Sequence, residues 1–336
     1  MTSDGGGMTL SALLPINQHG LVTRQAARSA GVTDPDLRRL EADGRILSLR
    51  RGVYVDDEVW RGADPYRGQP ILRIRAAQLV LRCDHVVSHD SAALVHRLGV
   101  PDARTALVHV TRRKVHGDAV RAGVKHHLAP YAPEQVVVID GLRVLDRART
   151  ALDMAREHGL VAGVACTDAA LRAGTTRAEL ASARAAMWCW PGSRTMDRSL
   201  DLADPGAESW LESEGRVLVT SLGLGRPQTQ FGLTDGGRTV WCDLRIGRHV
   251  FELDGWIKYL PDSDASRSPA QILREEKERQ DFITGFKLGV SRITAADCRN
   301  WPRTSRRLLR EYADTCARFG TDISDLAPYR PATPRR

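Results

Sequence analysis

Between residues 207 and 319 the hydrophobic period changes in an order that few arrangements accommodate. Residues 207–221 have helical spacing, with Trp210, Leu211, Val217 and Leu218 forming an apolar stripe. Three strand-like runs follow, over 228–233, 239–246 and 249–253. Asp235-Gly236-Gly237 and Gly247-Arg248 supply the turns between them. A long charged helix is expected over 269–285, a fourth strand over 289–294 and a final helix over 304–319. The order helix, three strands, helix, strand predicts an α/β domain in which tight turns make the first three strands neighbours.

Two acids stand at telling places in this pattern. Asp243 lies inside the second strand, in WCDLRI, and Glu252 inside the third, in VFELDG. An acid within an otherwise apolar strand costs stability and asks for a reason. A hairpin brings the two together, and hard Mg²⁺ (or Mn²⁺) takes oxygen ligands of this kind. Such an ion activates water for phosphodiester hydrolysis. Glu208 is expected on the leading helix as an accessory acid, and Asp254 either touches the metal or starts the Asp-Gly turn. Lysine is scarce, with five in the chain, so Lys258 and Lys277 are the candidates for a positive charge at the phosphate.

The first sixty residues have a different grammar. Thr23 and Thr33 are capping residues ahead of two short helices, ended by Gly31 and Asp43-Gly44. Two strand-like runs follow, 46–49 and 53–55, joined by Arg50-Arg51-Gly52. Two helices joined by a turn and followed by a hairpin with arginines at its tip read as a winged helix-turn-helix. Arg38 and Arg39 face outward on the second helix, where an arginine reads guanine edges in the major groove. Arg50 and Arg51 would neutralise phosphates from the wing.

The segment between mixes both periods. Helices are expected over 73–81, 148–158 and 161–173, with strands at 106–111 and 142–145. His85, His89 and His96, with Cys83 beside them, invite a metal reading. They straddle a strand-to-helix junction, so no one face collects them, and a structural role is preferred. Trp188-Cys189-Trp190 before Pro191-Gly192 is read as packing near a turn, with a partner-binding aromatic patch as the alternative.

Composition narrows the function classes. The 336 residues are enough for two or three domains at ~100–200 residues each. Six cysteines without a C-x-x-C argue against a disulfide framework or zinc ribbon and for a reducing cytoplasm. No apolar run approaches a membrane span, and the first residues do not read as a signal peptide, so no membrane partner is expected. A net charge of +8 favours polyanionic partners, DNA above all.

The stretch HGLVTRQAARSAGVTDPDLRRLEADGRILSLRRGVYV resembles the N-terminal domain of AbiEi-type antitoxins of type IV toxin–antitoxin systems. VVSHDSAALVHRLGV, ALVHVT and GLRVLDRARTALDMAR are similar to the second domain of those proteins. That resemblance implies promoter binding with autorepression, and a cognate toxin as partner. AESWLE, RPQTQFGL, WCDLRI, VFELDGWIKY, REEKERQDF and GVSRIT resemble very short patch repair-like nucleases of the PD-(D/E)XK type. The resemblance implies metal ligation by Asp243 and Glu252, with Glu208 accessory and Gln230 near the site. The lysine usual two residues after the glutamate is Asp254 here. The expected architecture is a winged helix-turn-helix over 1–60, an α/β middle domain over 61–203 and a nuclease-like domain over 204–320, then a basic flexible tail over 321–336. The expected activity is Mg²⁺-dependent DNA cleavage; the alternative is a non-catalytic antitoxin and autorepressor with a degenerate nuclease fold. A second copy of the chain is a further candidate partner.

Overall fold

A computed structural model describes residues 10–100, 106–113, 119–254 and 269–332. The fold is mixed α/β, as the sequence predicts, and divides into two compact units, residues 1–154 and 155–336.

The first unit opens with helix α1 (Leu10–Leu13), strand β1 (Leu21–Thr23), helices α2 (Arg24–Ser29) and α3 (Asp34–Ala42), and the hairpin β2 (Ile46–Arg50) and β3 (Val53–Asp56). The three strands form one antiparallel sheet in the order β1-β3-β2. Leu10, Leu14, Val22, Ala27, Leu37 and Ile46 make a core beneath the helices. Helices α4 (Asp57–Gly62) and α5 (Gly68–Val80) come next. The back of the small sheet is covered by α5. Leu21, Val53 and Val55 bury themselves against Leu72 and Ala76 of α5.

The rest of this unit is built on a six-stranded sheet. Its elements are β4 (Val86–Val87), α6 (His89–His96), β5 (Val108–Arg112), β6 (Ala119–Arg121), β7 (Val124–Leu128), β8 (Val136–Ile139) and β9 (Leu142–Leu145). The strand order is β6-β7-β5-β4-β9-β8, with parallel pairing at β5–β7 and β4–β9. Helix α7 (Arg147–His158) follows and carries the division between the units.

In the second unit, helices α8 (Leu160–Arg172), α9 (Arg177–Ala186), α10 (Ser193–Leu202) and α11 (Trp210–Thr220) precede a four-stranded sheet. That sheet holds β10 (Gln228–Thr234), β11 (Thr239–Ile246), β12 (His249–Asp254) and β13 (Gly289–Thr294), in sequence order. The first three strands are antiparallel, and β13 lies parallel to β12 after the crossover helix α12 (Pro269–Gly285). The α-β-β-β-α-β order expected from the sequence is therefore present. Helices α13 (Ala295–Arg299) and α14 (Trp301–Phe319) close one face of the sheet. The other face packs Phe231, Leu233, Val240, Cys242 and Val250 against Ile283, Leu288 and Leu326.

Two contacts fix α11, one against the sheet and one against α8. Gly215 lets α11 approach β12 closely: a Cβ there would stand 2.2 Å from Leu253 Cδ1. Asp168 of α8 accepts from Asp204 N–H at 2.7 Å, from Ser213 Oγ at 2.8 Å and from Arg216 of α11 at 2.5 Å, the last two fully buried. Residues 324–329, expected in a flexible tail, instead form a 3-10 turn that buries Leu326. Asp325 in that turn pairs with Arg248.

Candidate functional site

The winged module begins with a helix start that the sequence writes in full. Thr33 caps α3, and Asp36 reaches back to Thr33 N–H at 3.0 Å, closing a capping box. Arg24 and Arg28 of α2 both grip Asp34 at the first turn of α3. Hydrogen bonds from those two guanidiniums hold the Asp34 carboxyl well below the usual range. Asp34 is thereby spent on joining the two helices and Asp36 on capping α3, while Glu41 and Asp43 stay exposed.

Leu37 turns inward from α3 and is buried, while Arg38 and Arg39 are exposed. The two wing arginines differ. Arg51 is exposed at the hairpin tip, next to Gly52, whose φ of +78° the turn requires. Arg50 ends β2 at a register shift, is half-buried, and burial pulls its guanidinium downward. The sequence reading gave the pair equal weight; Arg51 is the one presented to solvent.

Residues 13–55 match the AbiEi antitoxin family of transcriptional regulators. No curated protein matches the chain. The AbiEi-matching stretch spans β1, α2, α3 and β2 and reaches Val55 of β3, so the family match falls on the winged module.

The acids of the second unit occupy a fork between strands. β11 and β12 pair from Ile246–His249 to Leu244–Phe251. One residue further, Asp243 Oδ2 accepts the Leu253 N–H at 2.8 Å, in the place of a backbone carbonyl. On the other side, Thr229 opposes Leu244 and Phe231 opposes Cys242, which sets Gln230 opposite Asp243. Gln230 has a left-handed backbone, φ +48°, a costly state for a residue with a side chain. Its Nε2 donates to Glu212 Oε2 at 3.4 Å. Burial, with the Asp243 charge nearby, pushes the Glu212 carboxyl above its ordinary range.

Glu252 takes a different partner from the one expected. Its Oε2 accepts from Arg279 of α12 at 2.5 Å, and the same guanidinium donates to Trp241 O at 2.6 Å. Burial works against the Arg279 charge, but Glu252 and Asp243 outweigh it and raise its proton affinity. A guanidinium of the chain itself thus stands beside Glu252 and the β11 backbone. Burial and the neighbouring Glu252 together push the Cys242 thiol well up.

The other expected residues separate. Glu208 precedes α11, which starts at Trp210, and lends its backbone N–H to Glu212 at 2.8 Å; Glu212, not Glu208, faces the fork. Asp254 ends β12 opposite Thr294. Lys277 is exposed on α12, two residues from Arg279 and so on another side of the helix. Lys258 lies outside the described residues.

Cys83, His85, His89 and His96 do not gather at one point, and His89 instead comes together with His127. His85 bonds Gln78 and the Cys83 carbonyl, and His96 bonds the Leu145 carbonyl at 2.7 Å. His89 stacks on His127, with ring centroids 3.6 Å apart, and His127 Nε2 lies 3.1 Å from His109 Nδ1. Sequence reasoning missed His109 and His127 because they sit on β5 and β7, whose parallel pairing leaves no trace in spacing. Trp190 carries Arg156 over its ring, whereas Trp188 is exposed rather than packed.

Proposed function

We propose that this protein is a DNA-binding transcriptional regulator of the AbiEi antitoxin type. One observation carries the reading: the residues that match the AbiEi family are those that fold into the winged module, with Arg38, Arg39 and Arg51 exposed on its α3 and wing. In this reading α3 enters the major groove, its arginines read base edges, and the wing arginine meets phosphate. The protein represses its own promoter, and a cognate toxin is its partner in the cell. A promoter–reporter assay with the full chain tests the reading. Repression lost in an Arg38→Ala, Arg39→Ala variant supports it; unchanged repression by a folded variant contradicts it.

A second reading is favoured by the fork. Asp243 and Glu212 bring two carboxylates together beside a strained glutamine, and this oxygen set fits a hard divalent ion such as Mg²⁺ or Mn²⁺. Bound there, such an ion would supply activated water and charge stabilisation for phosphodiester hydrolysis. Glu252 fits less well as a ligand, since Arg279 already holds its carboxylate. A nicking assay on duplex, mismatched and single-stranded DNA with Mg²⁺ or Mn²⁺ distinguishes the readings. Metal-dependent nicking that Asp243→Asn abolishes supports an endonuclease. No metal binding and no nicking in the wild type leaves the fork as architecture.

A further inference from the structure

Helix α14 carries most of its cations on one side. Its buried residues Thr304, Leu308 and Thr315 face the sheet. Arg303, Arg306 and Arg310 are all exposed. At ~100° per residue they fall within about 60° of one another, on the side opposite Leu308. Arg299, which ends α13 just ahead, is exposed as well.

Most of the nearby acids take other partners. Arg307 turns inward and takes both Asp297 and Glu311. Glu311 also receives Ser291 Oγ, and Asp297 receives Thr294 and Thr304. Asp314 shares the outer face one turn beyond Arg310. Like charges three and four residues apart destabilise an isolated helix. Arg303 in the first turn also opposes the helix dipole, and that turn holds no acid. The stripe is therefore a standing electrostatic cost that a polyanion would relieve.

We infer that the stripe Arg303–Arg306–Arg310 is a second nucleic-acid surface, in the second unit, that takes the phosphate backbone of duplex DNA without reading sequence. Three features select this partner. The charges are one turn apart along a straight element, and guanidinium forks match phosphate oxygens. The stripe holds no aromatic side chain, and its aliphatic neighbour Leu309 is 40% exposed, less than an anchor that centres a protein interface. A lone leucine is also too little apolar surface to insert into a membrane. The inference does not depend on the wing.

The test measures affinity of the full chain for a random-sequence duplex across a range of salt. Each phosphate contact contributes ~0.9 to the slope of log K against log salt. Replacing all three residues by glutamine keeps helix propensity and is expected to lower the slope by about 2 to 3. Lysine at the same three positions is expected to retain it, since lysine still neutralises phosphate. An Arg50→Ala, Arg51→Ala variant loses the wing's share and leaves the stripe's increment in place, so the two surfaces fail separately. Unchanged slope and affinity in a glutamine variant with wild-type circular dichroism overturns the inference. If that variant does not fold, phenylglyoxal modification of the wild type decides. Shielding of Arg303, Arg306 and Arg310 by the duplex supports the surface, and unchanged reactivity overturns it. Binding to phosphatidylserine vesicles without any effect on DNA also overturns it.

Discussion

His249 sits at the start of β12 with both ring nitrogens engaged: Nδ1 with Thr315 Oγ1 at 2.8 Å and Nε2 with Ser291 Oγ at 2.8 Å. Burial brings its pKa down to about 4, against a weaker upward pull from Glu311. The fold thus favours the neutral ring. Its contribution is complete above an ordinary histidine value near 6.5 and declines as pH falls toward 4. The effect is on the order of 2–3 kcal/mol. Urea unfolding of the second unit at pH 7 and pH 4.5 should show this loss, and His249→Asn should flatten it. Equal acid sensitivity in the two proteins would place the titration elsewhere. Arg216 offers a second test at this scale. It answers a carboxylate that is fully buried, and burial already pushes Asp168 upward. Arg216→Leu should cost about 3–5 kcal/mol, because it leaves that charge uncompensated. A loss below about 1 kcal/mol would mean that Ser213 and Asp204 suffice to hold Asp168.

Among the elements, α3 shows how far local chemistry is written in the chain. Its capping threonine and its stop at Asp43-Gly44 are readable, but the helix takes in Asp34 and Pro35, which read as part of the turn before it. Thr33→Ala should lower the stability of the winged module by ~1 kcal/mol and leave base preference alone. A thermal melt paired with a binding profile checks both halves. The strands of the second unit are equally legible, because short glycine-containing turns join the first three and fix register locally. The acid site was legible in type but not in partner. Asp243 and Glu252 stand on the expected strands, yet the contact that settles Glu252 comes from Arg279, twenty-seven residues further along the chain and across a crossover. Spacing also pointed to Glu208 rather than Glu212, because one turn of helix start decides which acid faces the sheet. In the first unit, β6, β7 and β8 escaped notice, since short strands in a mixed sheet take their partners from afar.

At the scale of the whole molecule, the chain puts arginine on two separate surfaces while spending its acids internally. Asp34 joins α2 to α3, Glu252 holds α12, and Asp297 and Glu311 hold Arg307. The net charge of +8 suits a partner with a dense phosphate backbone. No helix among the described residues is long and apolar enough to cross a membrane. The central claim is that the winged module reads DNA, and fluorescence anisotropy against the protein's own promoter tests it most directly. Measured at several salt concentrations beside a scrambled duplex, the wild type should prefer the promoter. Arg38→Ala or Arg39→Ala should erase about 1–3 kcal/mol of that preference if the residue reads a base. Arg51→Ala should weaken both duplexes alike and reduce the salt slope by about 1. Equal affinity for promoter and scrambled DNA, unchanged in all three variants, would contradict the account.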